Sequence, residues 1–258
     1  LRLYPRYETA MAACFSGIKG EALEELRYKR YDSVYDEMLD VNKLSARTLE
    51  CMLSALEDTL GPLRRYLRRK ARLLGHPDGM PWYDMLAPAG GLPTSFTFEQ
   101  AGGMLCDALG SFSGEIGALA RRALENGWID ALPAAGKQSG AISIDLPAMR
   151  ENRILLSYTG SFRCVRTMAH ELGHAFAGYM AMRSQPISDY YSESTDIAEI
   201  HSMSMEQFAY PYAEWFFGDQ ADKFRFAHLQ EALTFVPFGV AVDEFQHICY
   251  AHPELTPK

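Results

Sequence analysis

The sequence predicts a mostly α fold with a small β-sheet or hairpin just ahead of its chemically richest helix. Three observations carry this. Long stretches place apolar residues every three or four positions, and one short stretch, 136–160, alternates instead. A His170-Glu171-Leu172-Gly173-His174 cluster then falls inside a helical pattern. The 258 residues are 48% hydrophobic and 22% charged, an ordinary globular balance that can bury a substantial core.

The first 90 residues read as an N-terminal helical region. Val34, Tyr35, Met38 and Leu39 recur at helical spacing, as do Leu49, Met52, Leu53, Leu56, Leu60 and Leu63. These stripes are core faces and imply no cofactor. Pro62 is expected to kink or break the second pattern, and the turn-forming residues at 75–79 end it. Arg64, Arg65, Arg68, Arg69 and Lys70 read as a solvated helix face. The run Ala-Pro-Ala-Gly-Gly-Leu-Pro at 87–93 is a loop, which divides residues 1–90 from a second portion, 91–258.

Thr97 opens a new helix, with Gln100 completing a capping box. Phe98, Leu105, Leu109, Phe112, Ile116, Leu119 and Ala123 supply its buried stripe. After a turn at 136–140, Ala141-Ile142-Ser143-Ile144 alternates and 153–158 is a second short apolar run, so a hairpin is expected there. Helices resume at 161–182, 188–217 and 220–250.

A net charge of −8 disfavours nucleic acid and anionic membranes as partners. No apolar stretch approaches the roughly 20 residues of a membrane span. The five cysteines, Cys14, Cys51, Cys106, Cys164 and Cys249, are odd in number and scattered. That pattern fits free thiols in a reducing, cytoplasmic setting, each acting as a small buried hydrophobe. Residue 1 is leucine and the last residues read like the start of another turn, so a piece of a longer protein is expected.

Two histidines four apart on a helix lie about 40° apart around the axis and ~6 Å along it. His170 and His174 can therefore reach one zinc ion at ~2.0–2.1 Å. Glu171 between them points to the side, where it can take a proton from a zinc-bound water without ligating the metal. Ser161 is a suitable N-cap for this helix, and Val165, Met168, Ala169, Leu172 and Phe176 form its apolar stripe. Gly173, Ala177 and Gly178 leave room for another segment to approach. A catalytic zinc takes three protein ligands and keeps one position open. The extended pattern with a third histidine fails, because Met180 stands at that place. Glu193, Asp196, Glu199, His201 and Glu206 all remain open as the third ligand.

The sequence resembles the M3 family of metallopeptidases, in its oligoendopeptidase F branch. The likeness rests on 167–175 (TMAHELGHA), on Ser139-Gly140-Ala141 and on Leu156-Ser157-Tyr158-Thr159-Gly160. It continues in 195–203 (TDIAEIHSM), 242–247 (VDEFQH) and 82–88 (WYDMLAP). The resemblance implies a zincin-like helical core, one Zn2+ per chain with Glu199 as third ligand, and cleavage of oligopeptides within a deep channel. It also implies that substrate backbone adds to a strand edge near Gly140 and Ala141 or Tyr158 and Gly160. Asp196, one turn before Glu199, is placed to support a ligand, to cap the helix or simply to face solvent. His201 reads as a rival ligand, a substrate contact or a packed histidine. Family members are about twice this length, and their oxyanion-stabilising histidine and tyrosine are expected beyond Lys258. The reading is therefore a zinc endopeptidase core. Two alternatives stand beside it, a non-catalytic zinc-dependent peptide-binding module and a zinc hydrolase of a non-peptide amide.

Overall fold

The computed structural model describes residues 4–85, 87, 95–192 and 194–255. The loop expected at 87–93 therefore falls, apart from Ala87, outside the described residues, as does Glu193. The chain packs as two compact units, Leu1–Ala87 with Gln230–Lys258, and Pro88–Leu229.

The first unit is built from α1 (Glu8–Lys29), α2 (Val34–Val41), α3 (Ala46–Leu73) and the C-terminal part of α9 (Ala221–Ala251). Serines start two of these helices. Ser33 and Ser45 accept from the backbone N–H groups of Asp36 and Thr48, satisfying donors that the first turn leaves unpaired. Phe15 stacks on Phe245, and buried Lys19 donates to the carbonyls of Pro253 and Leu255.

Three expectations for this unit are corrected. Pro62 does not end its helix: α3 runs through it for 28 residues. The residue before it is Gly61, and without a Cβ there is little to clash with the proline ring in the helical conformation. Lys70 is not solvated like its basic neighbours but only 1% exposed, its ammonium donating to the Met85 carbonyl at 2.6 Å. Cys14 and Cys51 are exposed on their helices, although all five cysteines are free as expected.

The second unit contains α4 (Phe98–Phe112), α5 (Gly114–Glu125), β1 (Ile129–Asp130), β2 (Ala141–Leu146) and β3 (Glu151–Leu156). It continues through α6 (Phe162–Ser184), α7 (Thr195–Phe208), α8 (Ala213–Phe217) and the start of α9. Thr97 and Gln100 form the full capping box on α4. The stripe read as one helix from Phe98 to Ala123 breaks at Ser113, leaving Phe112 49% exposed. The break makes an α4–α5 hairpin, in which a Cβ on Gly117 would run into the Gly110 backbone. The helix expected at 188–217 is likewise divided, into α7, a 3-10 turn at Tyr210–Tyr212 containing Pro211, and α8. Proline removes the N–H that an unbroken helix would need there.

The hairpin is present, with β2 antiparallel to β3 from Ala141↔Leu156 to Leu146↔Glu151. A third strand, β1, pairs parallel to β3 on its other side, giving the order β1-β3-β2. Among the described residues β2 is therefore an edge strand. Asn152, Ile154 and Leu156 alternate inward along β3, the period-two burial of a sheet covered on one face. The chain leaves β3 and turns at Gly160, whose φ of +83° favours glycine and whose carbonyl accepts from Phe96. It then enters α6, whose Phe162, Val165, Met168, Ala169 and Leu172 join the core. Ser161 occupies the N-cap position, but its side chain caps nothing; its hydroxyl lies against the Cys164 sulfur at 3.3 Å.

Candidate metal centre

Residues 170–174 occupy the middle of α6, where Met168, Ala169 and Leu172 face the core and the histidines stand beside that stripe. The small residues on this helix decide what can approach it. A Cβ on Gly173 would lie 2.6 Å from the Ser202 Cα and 2.7 Å from the His201 carbonyl oxygen, so α7 packs backbone against backbone here. A Cβ on Gly178 would run into the Asp145 carboxylate, which brings β2 against the same helix. The site thus lies where α6 meets α7 and β2.

That close approach carries Glu199 to the histidine pair. Its carboxylate oxygens lie 3.2 Å from His170 Nε2 and 3.7 Å from His174 Nε2. The two rings are 4.9 Å apart and steeply inclined, at 79°. One donor atom from each of the three residues falls within 4.8 Å of the others, the one grouping of this kind among the described residues. Tetrahedral ligands at ~2.0–2.1 Å from a zinc ion lie about 3.4 Å apart, so the Glu199 distances fit that donor set.

Around these donors is a layer of buried supports. His170 Nδ1 donates to Glu206 at 2.7 Å, which leaves Nε2 as the ring atom facing His174 and Glu199. The other Glu206 oxygen accepts from His228 Nε2 at 2.6 Å, with Arg166 Nε 3.6 Å away. Burial works to raise the Glu206 carboxyl, but its hydrogen bonds to His170 and His228 and the Arg166 charge outweigh it and hold the group at about 2. Ser202, fully buried, donates to a Glu199 carboxylate oxygen at 2.7 Å and to the Glu199 carbonyl.

The protonation states follow from these surroundings. Burial opposes charge on His170, yet the hydrogen bond to Glu206 and the nearby carboxylates raise its pKa. His174, penalised by burial and by the neighbouring His170, is lowered. Glu171 is only 6% exposed, and burial pushes its carboxyl up to about 7 against the lowering effect of His170. Its Oε2 is buried with no hydrogen-bond partner among the described residues. A buried carboxylate oxygen without a partner is costly, and it suits a group that receives a proton when substrate is present.

The histidines, Glu171 and Glu199 line one cavity of about 410 Å³, together with Ala141, Ser143 and Asp145 of β2, and with Tyr191. Asp145 is held by Asn152, which donates to it at 2.8 Å and accepts from Ser143. Ala141 is therefore at the cavity wall. Gly140 precedes it with φ of +96° and accepts from the Ser157 N–H. Tyr158 and Gly160 lie elsewhere: the Tyr158 ring is buried and its hydroxyl donates to the carbonyls of Phe96 and Thr97. Asp196 is exposed in the first turn of α7 and has no hydrogen bond or ion pair among the described residues. His201 is half-buried on α7, outside the donor group, while its backbone carbonyl lies against Gly173.

Sequence reasoning named Glu206 only as one possible ligand and passed over Ser202 and His228. A signal for the first two was present. Glu199, Ser202 and Glu206 stand at i, i+3 and i+7, a spacing that puts all three on one face of a helix.

A model of the family described as peptidase family M3 matches residues 115–257. Over its whole length the chain is 24% identical to oligopeptidase PepF of Bacillus subtilis (strain 168), covering 39% of that protein. It is 28% identical to group B oligopeptidase PepB of Streptococcus agalactiae over 70% of the chain and 30% of that protein. Its fold is similar to PZ peptidase A solved with an inhibitor, at a TM-score of 0.89 and 26% identity, over 99% of the chain and 46% of that structure. The chain thus spans less than half the length of these relatives.

Proposed function

The chain belongs to peptidase family M3, and from that premise we propose that it is the zinc-binding core of an endopeptidase acting on oligopeptides. The observation that carries the reading is the meeting of His170, His174 and Glu199 within 4.8 Å, beside a Glu171 carboxylate oxygen that has no hydrogen-bond partner among the described residues. His170, His174 and Glu199 would hold one Zn2+ per chain. Two neutral imidazoles and a carboxylate are a donor set suited to zinc that leaves a position open. When bound, the ion supplies Lewis acidity and lowers the pKa of coordinated water to about 7.

The protein's own groups do the rest. Glu171, buried and with its pKa raised to about 7, is matched to taking a proton from the attacking water near neutral pH and returning it to the leaving amine. Glu206 fixes the His170 tautomer, and Ser202 holds the Glu199 carboxylate. The edge of β2, unpaired among the described residues, with Ala141 and Ser143 at the cavity wall and Gly140 just before them, is the proposed place for substrate backbone to add as a further strand. The net charge of −8 fits peptide rather than nucleic-acid substrates, and five free thiols fit a reducing cytoplasm. No helix among the described residues is long and apolar enough to cross a membrane.

The test is hydrolysis of a fluorogenic peptide by the full-length protein, with and without chelator, beside Glu171→Gln. Loss of turnover on chelation and in the variant, with zinc still bound by the variant, is expected. Cleavage at the parent rate by Glu171→Gln would remove the base assignment.

A further inference from the structure

Past the residues that meet in the cavity, one buried histidine stands out. His228, near the start of α9, is 58 residues from His170 in sequence and reaches the site only through Glu206. It is 4% exposed, and its Nε2 donates to Glu206 Oε2 at 2.6 Å. Its ring lies 5.3 Å from that of Tyr210 and 6.0 Å from that of Phe224. Those contacts fix the ring, and the ring fixes the carboxylate. Glu206 is then held at both ends, by His228 on one oxygen and His170 on the other.

We propose that His228 is a positioning residue of the metal centre, holding Glu206 in the orientation that presents His170 Nε2 to the ion. The inference rests on the reading of His170, His174 and Glu199 as zinc ligands. Without the His228 N–H, the buried Glu206 oxygen keeps Arg166 Nε nearby at 3.6 Å. The carboxylate then turns towards the guanidinium, and its other oxygen leaves His170 Nδ1. His170 is freed to change ring orientation and tautomer, and the donor set loses its registration. Removing a hydrogen-bonded partner of a metal-ligating histidine typically costs about 10- to 100-fold in metal affinity, and a residue one step further out belongs at the lower end.

His228→Phe is the main variant, because it keeps a ring against Tyr210 and Phe224 and removes only the donor. His228→Gln retains an N–H that can reach Glu206. Leu229→Ala, at the next position on α9 and exposed, controls for general damage to the helix. Zinc dissociation constants from chelator competition and the visible absorption of the cobalt-substituted chain are measured beside melting of the metal-free forms.

The expected result is zinc binding weakened about tenfold in His228→Phe with an altered cobalt spectrum. His228→Gln should return to within about threefold of the parent, with Leu229→Ala unchanged. Should His228→Phe fail to fold, His228→Gln and His228→Asn decide the matter through the cobalt spectrum, with only the longer amide expected to preserve it. A parent that binds zinc through His170, as His170→Ala would show, while His228→Phe binds equally well with an unchanged spectrum, overturns this inference alone. A parent that takes up no zinc overturns it together with the reading on which it rests.

Discussion

Replacing Gly173 with alanine should loosen the metal centre without touching a ligand. The new Cβ would lie 2.6 Å from the Ser202 Cα and 2.7 Å from the His201 carbonyl oxygen, both backbone atoms that no rotamer change can move. An ordinary contact needs at least 3.4 Å, so α7 must retreat from α6 by roughly 0.8 Å. Two effects on stability compete. Alanine in a helix gains about 1 kcal/mol over glycine, whereas overpacking costs about 1–3 kcal/mol. Overpacking wins, and the metal-free protein should lose about 1 kcal/mol in urea unfolding. Metal affinity is more sensitive still. Ligand positions matter at about ±0.2 Å, and Glu199 rides on the displaced helix, so zinc binding should weaken at least ~10-fold. Gly103→Ala in α4, where a Cβ would meet nothing within 4 Å, is the matched control. It should stabilise by up to about 1 kcal/mol and leave zinc binding alone. If Gly173→Ala bound zinc as the parent does, the account of how α7 delivers Glu199 would be refuted.

Glu171→Gln should lower peptide turnover by the full-length protein by at least ~10²-fold while zinc affinity, read by chelator competition, stays near the parent's. Glu199→Gln should instead weaken zinc binding itself, and His201→Gln should leave it within about twofold in the same titration. With the metal chelated, stability should fall as pH rises from the ordinary carboxyl value of 4.5 to about 7. Across that window the unfolded chain releases the Glu171 proton before the folded one does. Thermal melts across that range should show a shallower fall for Glu171→Gln; equal slopes would contradict the burial of that carboxyl. Glu206 works in the opposite sense. Its folded value of about 2 means that its contribution is present above 4.5 and is lost as pH falls towards 2, a loss that Glu206→Gln should remove from acid-unfolding curves.

What the sequence disclosed was largely local. Thr97 with Gln100, the β2–β3 hairpin and the His170–His174 pair each depend on residues a few positions apart, and each is present in the fold. The choice of Glu199 from five possible ligands came from family likeness, because charge and spacing alone cannot rank carboxylates on a neighbouring helix. Features decided by tertiary packing were not legible. β1 is only two residues long and exists because β3 offers it a parallel edge. Lys70 reads as solvated until the chain brings the Met85 carbonyl to it. Tyr158 sits in a motif next to the site, yet its hydroxyl turns away to cover the entry to α4. Pro62 shows the reverse, a local breaker overruled by the glycine before it and by helix on both sides.

The central claim is that one zinc ion is held by His170, His174 and Glu199. It is tested most directly by anomalous diffraction at the zinc edge from crystals of the zinc-loaded chain. The account predicts a single strong peak about 2.0–2.1 Å from Nε2 of both histidines and from a Glu199 oxygen, with Glu171 outside the coordination sphere. A peak ligated by His201 in place of Glu199, or one away from the His170–His174 pair, would contradict it.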